Sequence, residues 1–243
     1  EQREALRVEH LSRKNMLADI SFTAYEGEIL GITGVIGAGK TELARAIFGA
    51  DKIDTGHIFV YGEPCDLHSP VAAVQHGVGM LPEDRKTLGL LLNHEVYKNI
   101  TLPALDRFIS SMILNKTAEL SVTDQIVKRL DVKIASPYQA VKYLSGGNQQ
   151  KIVVGKWLTV NPRILIMDEP TRGIDVGSKS EIHKIMQRLA AEGTCIIFIS
   201  AEVPEIVEVS DRILVMKKGR IYTEYSRGVS QEQIMQAILE GEK

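Results

Sequence analysis

The stretch Gly34-Val35-Ile36-Gly37-Ala38-Gly39-Lys40-Thr41 fits the pattern G-x-x-x-x-G-K-[ST] at every fixed position. It follows an apolar strand-like run, Glu28 to Thr33, and precedes Lys40 to Phe48, whose Leu43, Ala44 and Ile47 fall at helical spacing. Glycines let the backbone curl until successive N–H groups point inward at phosphate oxygens. The helix that follows presents its positive end to the same anion. Lys40 would then reach the β- and γ-phosphates of a nucleotide, and Thr41 would set its hydroxyl on Mg²⁺.

A phosphate loop of this kind needs a second feature, an acid at the carboxyl end of a neighbouring strand. Arg163 to Met167 reads as a buried strand that delivers Asp168 and Glu169 there. One acid can hold Mg²⁺ through its water shell, and the next can accept a proton from an attacking water. Taken alone, the pair reads equally as a solvated turn before Pro170.

The rest of the chain supplies the sheet. Ala5 to Val8, Ile20 to Tyr25, His57 to Val60 and Gly77 to Leu81 are short strand-like runs. From about Asn93 to Val160 the spacing is mostly helical, as in Asp124 to Leu130. Strand 163–167, helix 178–192, strand 195–199, helix 203–208 and strand 213–216 then alternate, before a short amphipathic helix from Gln231 to Leu239. Such alternation predicts a parallel sheet with helices on both faces, interrupted by a helical insertion.

Composition excludes several classes. Lys and Arg total 29 against 31 acids, a net charge of -2 that provides no basic face for nucleic acid. Cys65 and Cys195 stand in no metal or redox spacing. No apolar run approaches the roughly 20 residues that cross a bilayer, so membrane association is expected through a partner.

Leu144-Ser145-Gly146-Gly147-Asn148-Gln149-Gln150 opens another helix, with Ile152, Val153, Trp157 and Leu158 on its buried side. A serine and two glycines at a helix start suit phosphate, yet no lysine or metal ligand accompanies them. Either this turn is a plain helix cap, or it covers the phosphate held by a different domain.

In order, Gly34–Thr41, Leu144–Gln150, Ile164–Glu169 and Asp175 resemble the motif set of ABC transporter ATPases over essentially the whole chain. Pro82-Glu83-Asp84-Arg85-Lys86 and Asp168-Glu169-Pro170-Thr171-Arg172-Gly173-Ile174-Asp175 resemble, more narrowly, the second ATPase half of bacterial ribose-, galactose- and xylose-type importers. The resemblance implies an α/β P-loop NTPase core with a mostly parallel sheet, an N-terminal antiparallel β subdomain and an inserted α-helical subdomain. It places the core at 1–82 and 161–243 and the insertion at about 83–160. It implies ATP and Mg²⁺ as cofactors, with Gly34, Val35, Ile36, Gly37, Ala38, Gly39, Lys40, Thr41 and Glu42 around the nucleotide. Ser145, Gly146 and Gly147 would contact the ATP of an opposite half, and Asp175 would link the two sites.

By the same resemblance Thr41, Asp168 and Glu83 would face the metal, and Glu169, Lys40 and Glu83 would serve catalysis. The implied partners are a second ATPase half (a tandem fusion would explain the missing start methionine), membrane permease subunits and, indirectly, a sugar-binding protein. The implied location is peripheral, on the cytoplasmic face of the bacterial membrane. Leu88, Leu90, Leu91 and Leu92 are expected either at the permease contact or in the core.

Three departures accompany the resemblance. Glu83 stands where most members carry glutamine, and Ala201 follows Ile199-Ser200 where most carry a histidine that senses the γ-phosphate. Lys14 and Asn15 occupy the stretch that usually offers an aromatic to the adenine. The leading expectation is therefore an ATPase that drives monosaccharide import. The alternative is a catalytically weak half that binds ATP and gates dimer closure while its partner hydrolyses.

Overall fold

A computed structural model of the chain describes residues 2–110 and 113–240. The chain folds as two compact units, one of residues 1–80, 163–169 and 186–243, the other of 81–162 and 170–185.

The first unit holds two sheets. In the smaller, β1 (Glu4–Arg13) pairs antiparallel with both β2 (Leu17–Tyr25) and β4 (Thr55–Val60), and β5 (Glu63–Cys65) extends the edge. Alternation along β2 buries Ile20, Phe22 and Ala24 on one packed face, and Leu17 is buried beyond a register irregularity.

The larger sheet has the order β12-β11-β3-β10-β9-β6, with β6 (Val78–Leu81) at one edge. Its centre is β3 (Ile29–Thr33), β10 (Cys195–Ile199) and β9 (Ile164–Asp168), paired in parallel and buried at every position. Continuous apolar strands of this kind mark a sheet covered on both faces. Helix α1 (Lys40–Ile47) packs on β9, and α7 (Val203–Val209) packs on β3. Helix α8 (Gln231–Leu239) packs on β11 (Arg212–Lys217). The mostly parallel sheet expected from the alternation is present. Its outer strand β12 (Arg220–Ser226), which the sequence reading passed over, joins β11 antiparallel through a turn with positive φ at Lys218 and Gly219.

The register of the central strands locates the chemistry. Ile199 pairs with Ile32 on one side and with Asp168 on the other. Thr33 and Glu169 therefore leave the sheet at the same level, with one strand between them, about 10 Å apart on the usual strand spacing. Across the sheet, Glu28 is 4% exposed and accepts hydrogen bonds from Arg212 Nε at 2.5 Å and from the Tyr25 N–H at 2.8 Å. Arg212 also donates to the Thr23 carbonyl at 2.5 Å, so one guanidinium fastens β11 to the β2 end.

The second unit is mainly helical, with α3 (Val96–Thr101), α4 (Lys116–Arg129) and α5 (Gly146–Leu158) packed on one another. Lys151 of α5 is buried and bonds to the Asp131 carbonyl and to Glu181 at 2.9 Å each. Three local features were not foreseen. Residues Arg85–Gly89 form a turn of π-helix, Ile109–Ser110 and Ile113–Leu114 pair as a small β-ribbon, and Pro70–Gln75 of the first unit is a short helix capped by Ser69. The leucine cluster also divides. Leu88 and Leu91 are exposed and Leu92 is half-buried, but Leu90 is 6% exposed and belongs to the core. The backbone after the π-turn is extended at Leu90, which turns that side chain inward while its neighbours face out.

Candidate functional site

The loop Gly34–Thr41 begins where β3 ends and runs directly into α1. Its curl depends on glycine at a specific place. Gly34 has φ +152, and a Cβ there would lie 2.2 Å from the Met216 carbonyl oxygen. Gly37 has φ +79 and faces open space, so no side chain obstructs an approaching anion. Gly39 stands at the N-cap of α1 with φ 99, and no side chain caps the helix. The first-turn amides are left without an intrahelical partner, as at every helix start.

Lys40 is 8% exposed, and its Nζ donates to the carbonyls of Gly34 at 2.8 Å and Val35 at 3.1 Å. The lysine thus folds back over its own loop. Burial holds its ammonium below the ordinary lysine value, against the upward pull of Glu169, Asp168 and Glu42.

Asp168 is fully buried, and burial pushes its carboxyl up to about 6. The Thr41 hydroxyl and Lys40 pull it down, while Glu169 and Glu42 push it further up. Thr41 is near enough to ease the charge, yet among the described residues neither carboxylate oxygen completes a hydrogen bond of standard geometry. A buried carboxylate with both oxygens unengaged fits a hard cation. No group of three or more His, Cys, Asp or Glu among the described residues could cage a metal on its own. The lone buried carboxylate near the Thr41 hydroxyl fits Mg²⁺, which keeps waters and substrate phosphates around one or two protein oxygens.

Glu169 follows immediately, with φ 46, a left-handed conformation uncommon for glutamate and frequent at functional sites. Its N–H donates to the Ile199 carbonyl at 2.9 Å, and its Oε1 accepts from the Ala201 N–H at 2.8 Å. Burial raises the carboxyl above its ordinary value, the Ala201 N–H and Lys40 oppose that, and Glu205 and Glu202 add to it. A carboxylate moved toward neutrality is a better proton acceptor there. Ala201 therefore contributes a backbone amide that holds Glu169.

Beside the loop lies an open cavity of about 420 Å³ whose walls include Met16, Leu17, Gly39, Glu42, Lys218 and Arg220. Lys14 is absent from it and Asn15 borders it. Met16, 48% exposed, and Arg220, exposed on the neighbouring hairpin, are lining residues that the sequence reading missed. Nothing in the local sequence marks them, because strands far apart in the chain bring them together.

Five further expected residues fall in the second unit. Ser145 is the N-cap of α5, its Oγ accepting from the Asn148 N–H at 3.4 Å and from the Asn148 amide at 2.9 Å. The two glycines after it have little room, Gly147 the less. A Cβ on Gly146 would sit 3.0 Å from an Arg85 nitrogen, and one on Gly147 would sit 2.1 Å from Ser178 Oγ. Asp175 accepts from the Ser178 N–H at 3.0 Å and from its hydroxyl at 2.7 Å, starting α6 (Val176–Ala191). Glu83 is ion-paired with Arg172. The structure thus brings the loop, Asp168 and Glu169 together in the first unit. In the second it gathers Glu83, the Ser145 turn and the 172–175 loop.

Comparison with known proteins bears on the whole arrangement. The family model described as ABC transporter matches residues 17–172. The ribose import ATP-binding protein RbsA of Geobacillus kaustophilus is 46% identical over 241 residues, covering 99% of this chain and 49% of that protein. A putative ribose/galactose/methyl galactoside import ATP-binding protein of Albidiferax ferrireducens is 48% identical over 234 residues, 96% of this chain and 46% of that protein. The chain thus spans about half the length of the curated relatives it matches. A nucleotide-free ATP-binding cassette from an ABC transporter superposes over 98% of this chain and 96% of its own, with a TM-score of 0.79 at 21% identity, which shows a shared fold. Because the family model spans the phosphate loop, the Ser145 turn and the acid pair together, this chain belongs to the ABC transporter family.

Proposed function

We propose that this chain binds Mg-ATP and hydrolyses it to drive import of a monosaccharide such as ribose. The observation that carries the reading is the first unit's edge: the loop Gly34–Thr41, with Lys40 beneath it, lies beside Asp168 and Glu169 at the level fixed by β10. The amides of residues 34–41 and the Lys40 ammonium hold the polyphosphate, and Val35, Ile36 and Ala38 contribute backbone only. Thr41 and Asp168 hold Mg²⁺, which when bound neutralises charge on the phosphate oxygens. Glu169, aimed by the Ala201 N–H, accepts the proton of the attacking water. The base lies in the cavity beside the loop, against Met16 and Arg220 rather than an aromatic ring, with Glu42 at its edge.

Glu83 and the Ser145–Gly147 turn take the roles that the family implies. Glu83 meets the metal or its water, or reports nucleotide state, and the turn contacts ATP held by a second ATPase half. The relatives' printed names, import ATP-binding proteins for ribose or galactose, support a sugar as cargo and a membrane permease as partner. No helix among the described residues is long and apolar enough to cross a membrane. We therefore place the chain peripherally on the cytoplasmic face, with exposed Leu88 and Leu91 toward the permease and a sugar-binding protein on the far side.

The test pairs two variants of the assembled transporter. Lys40→Ala abolishes calorimetric binding of Mg-ATP. Glu169→Gln binds it normally but turns over on the order of 10²-fold more slowly. Turnover unaffected by Glu169→Gln would remove that residue from the proton-transfer role.

A further inference from the structure

Arg85 has no part in the chemistry described so far, yet three segments of the second unit converge on it. Its Nη1 donates to the Arg172 carbonyl at 2.8 Å and its Nη2 to the Gly173 carbonyl at 3.1 Å. The same guanidinium lies so close to Gly146 that a Cβ there would be 3.0 Å away, with the Gly173 oxygen and Ile174 next at 3.4 Å. The contact is reciprocated, because Arg172 returns an ion pair to Glu83, two residues before Arg85. The 83–85 and 172–173 segments are therefore clasped twice, once through a side-chain carboxylate and once through backbone oxygens.

The backbone that aims Arg85 is itself anchored at both ends. Asp84 caps the π-turn, accepting from the Lys86 N–H at 2.9 Å and the Thr87 hydroxyl at 2.8 Å. At the far end the Gly89 carbonyl accepts from Lys156 at 3.0 Å, and a Cβ on Gly89 would meet Val153 at 3.2 Å. Lys156 and Val153 belong to α5, the helix whose first turn is the Ser145–Gly147 stretch. A π-turn is a rare local geometry that recurs at functional sites. Here it sets a planar fork of donors against two successive carbonyls, a pairing that the single ammonium of lysine cannot reproduce.

We propose that Arg85 is a positioning residue of the ATPase: it holds the Ser145–Gly147 turn and the 172–175 loop, with Asp175, in one fixed arrangement. The inference rests on the proposed ATPase function and deepens it. It assigns Arg85 no contact with nucleotide, so binding at the phosphate loop and turnover should separate.

The experiment uses the full-length protein assembled with its permease, as Arg85→Met and Arg85→Lys. Arg85→Met is expected to lower kcat at least tenfold while KM for Mg-ATP stays within twofold, and Arg85→Lys is expected to fall between it and the parent. Amide exchange gives a second readout independent of activity. Residues 146–148 and 173–176 exchange faster in Arg85→Met and partly recover in Arg85→Lys, while the phosphate loop does not change. Unchanged kcat or unchanged exchange in those segments overturns the proposal. So does a loss of kcat matched by a rise in KM, or faster exchange throughout the chain, since either reports general damage. A parent assembly that does not hydrolyse ATP refutes the ATPase function itself, and the role given to Arg85 falls with it.

Discussion

Replacing Asp168 by asparagine should make the nucleotide-free protein more stable. Asp168 is fully buried, neither of its oxygens completes a hydrogen bond of standard geometry among the described residues, and its carboxyl is pushed up from 3.8 to about 6 despite the nearby Thr41 hydroxyl. The folded state therefore holds a proton that the unfolded chain releases at lower pH. Stability is highest while both states are protonated, below 3.8, and falls as pH rises to about 6. A displacement of roughly 2 units corresponds to about 3 kcal/mol of destabilisation, fully present at neutral pH. Asparagine carries no charge, so Asp168→Asn removes this loss, and its advantage grows by roughly 1–1.5 kcal/mol between pH 5 and 8. For a chain of this size the gain corresponds to a melting midpoint about 6–12 °C higher at pH 8. Differential scanning calorimetry without nucleotide, repeated across that pH range, measures it. A second series with Mg-ATP should reverse the order, because only the parent offers the cation a carboxylate. A variant that melts at or below the parent at pH 8, or a gap that does not widen with pH, refutes the claim that burial strains this acid.

Two further substitutions probe stability at fixed contacts. Gly147→Ala drives a methyl to 2.1 Å from Ser178 Oγ and 2.7 Å from its Cβ, which should cost about 1–3 kcal/mol in urea unfolding. Adding Ser178→Gly should recover part of that loss, and no recovery would place the clash elsewhere. Arg212→Met leaves Glu28 buried without its guanidinium, and a loss of about 3 kcal/mol by chemical denaturation is expected. A neutral result would mean that water reaches Glu28 readily.

The parts of the fold legible in the sequence are those whose cause is local. Gly34–Thr41 declares its own curl, and Ile164 to Met167 announces a buried strand by its unbroken apolar run, so the loop and the acid pair are both legible in the sequence. Partners brought from far along the chain leave no local mark. Arg85 reads as one charge within Glu83-Asp84-Arg85-Lys86, and only the fold reveals that its acceptors are backbone atoms 87 and 88 residues away. The backbone N–H of Ala201 was invisible for a related reason: the methyl side chain suggested a missing function, while the amide, which every residue but proline carries, holds Glu169. For Leu90 the sequence leaves surface and core both open, and the core wins because the π-turn gives way to extended chain at that residue. Strand β12 was overlooked because its side chains alternate between half-buried and exposed, without a continuous apolar core.

Asp168 is the last residue of its strand, and Glu169 turns off it with a left-handed backbone while its N–H still bonds the Ile199 carbonyl. Slipping β9 by a single position against β10 would carry the second acid into the place of the first and swing the other out of reach. The placement of the two carboxylates is thus written in the ladder of backbone bonds on either side of Ile199. A designer wishing to move either acid would need to re-register the sheet, since exchanging side chains alone leaves both addresses where they are.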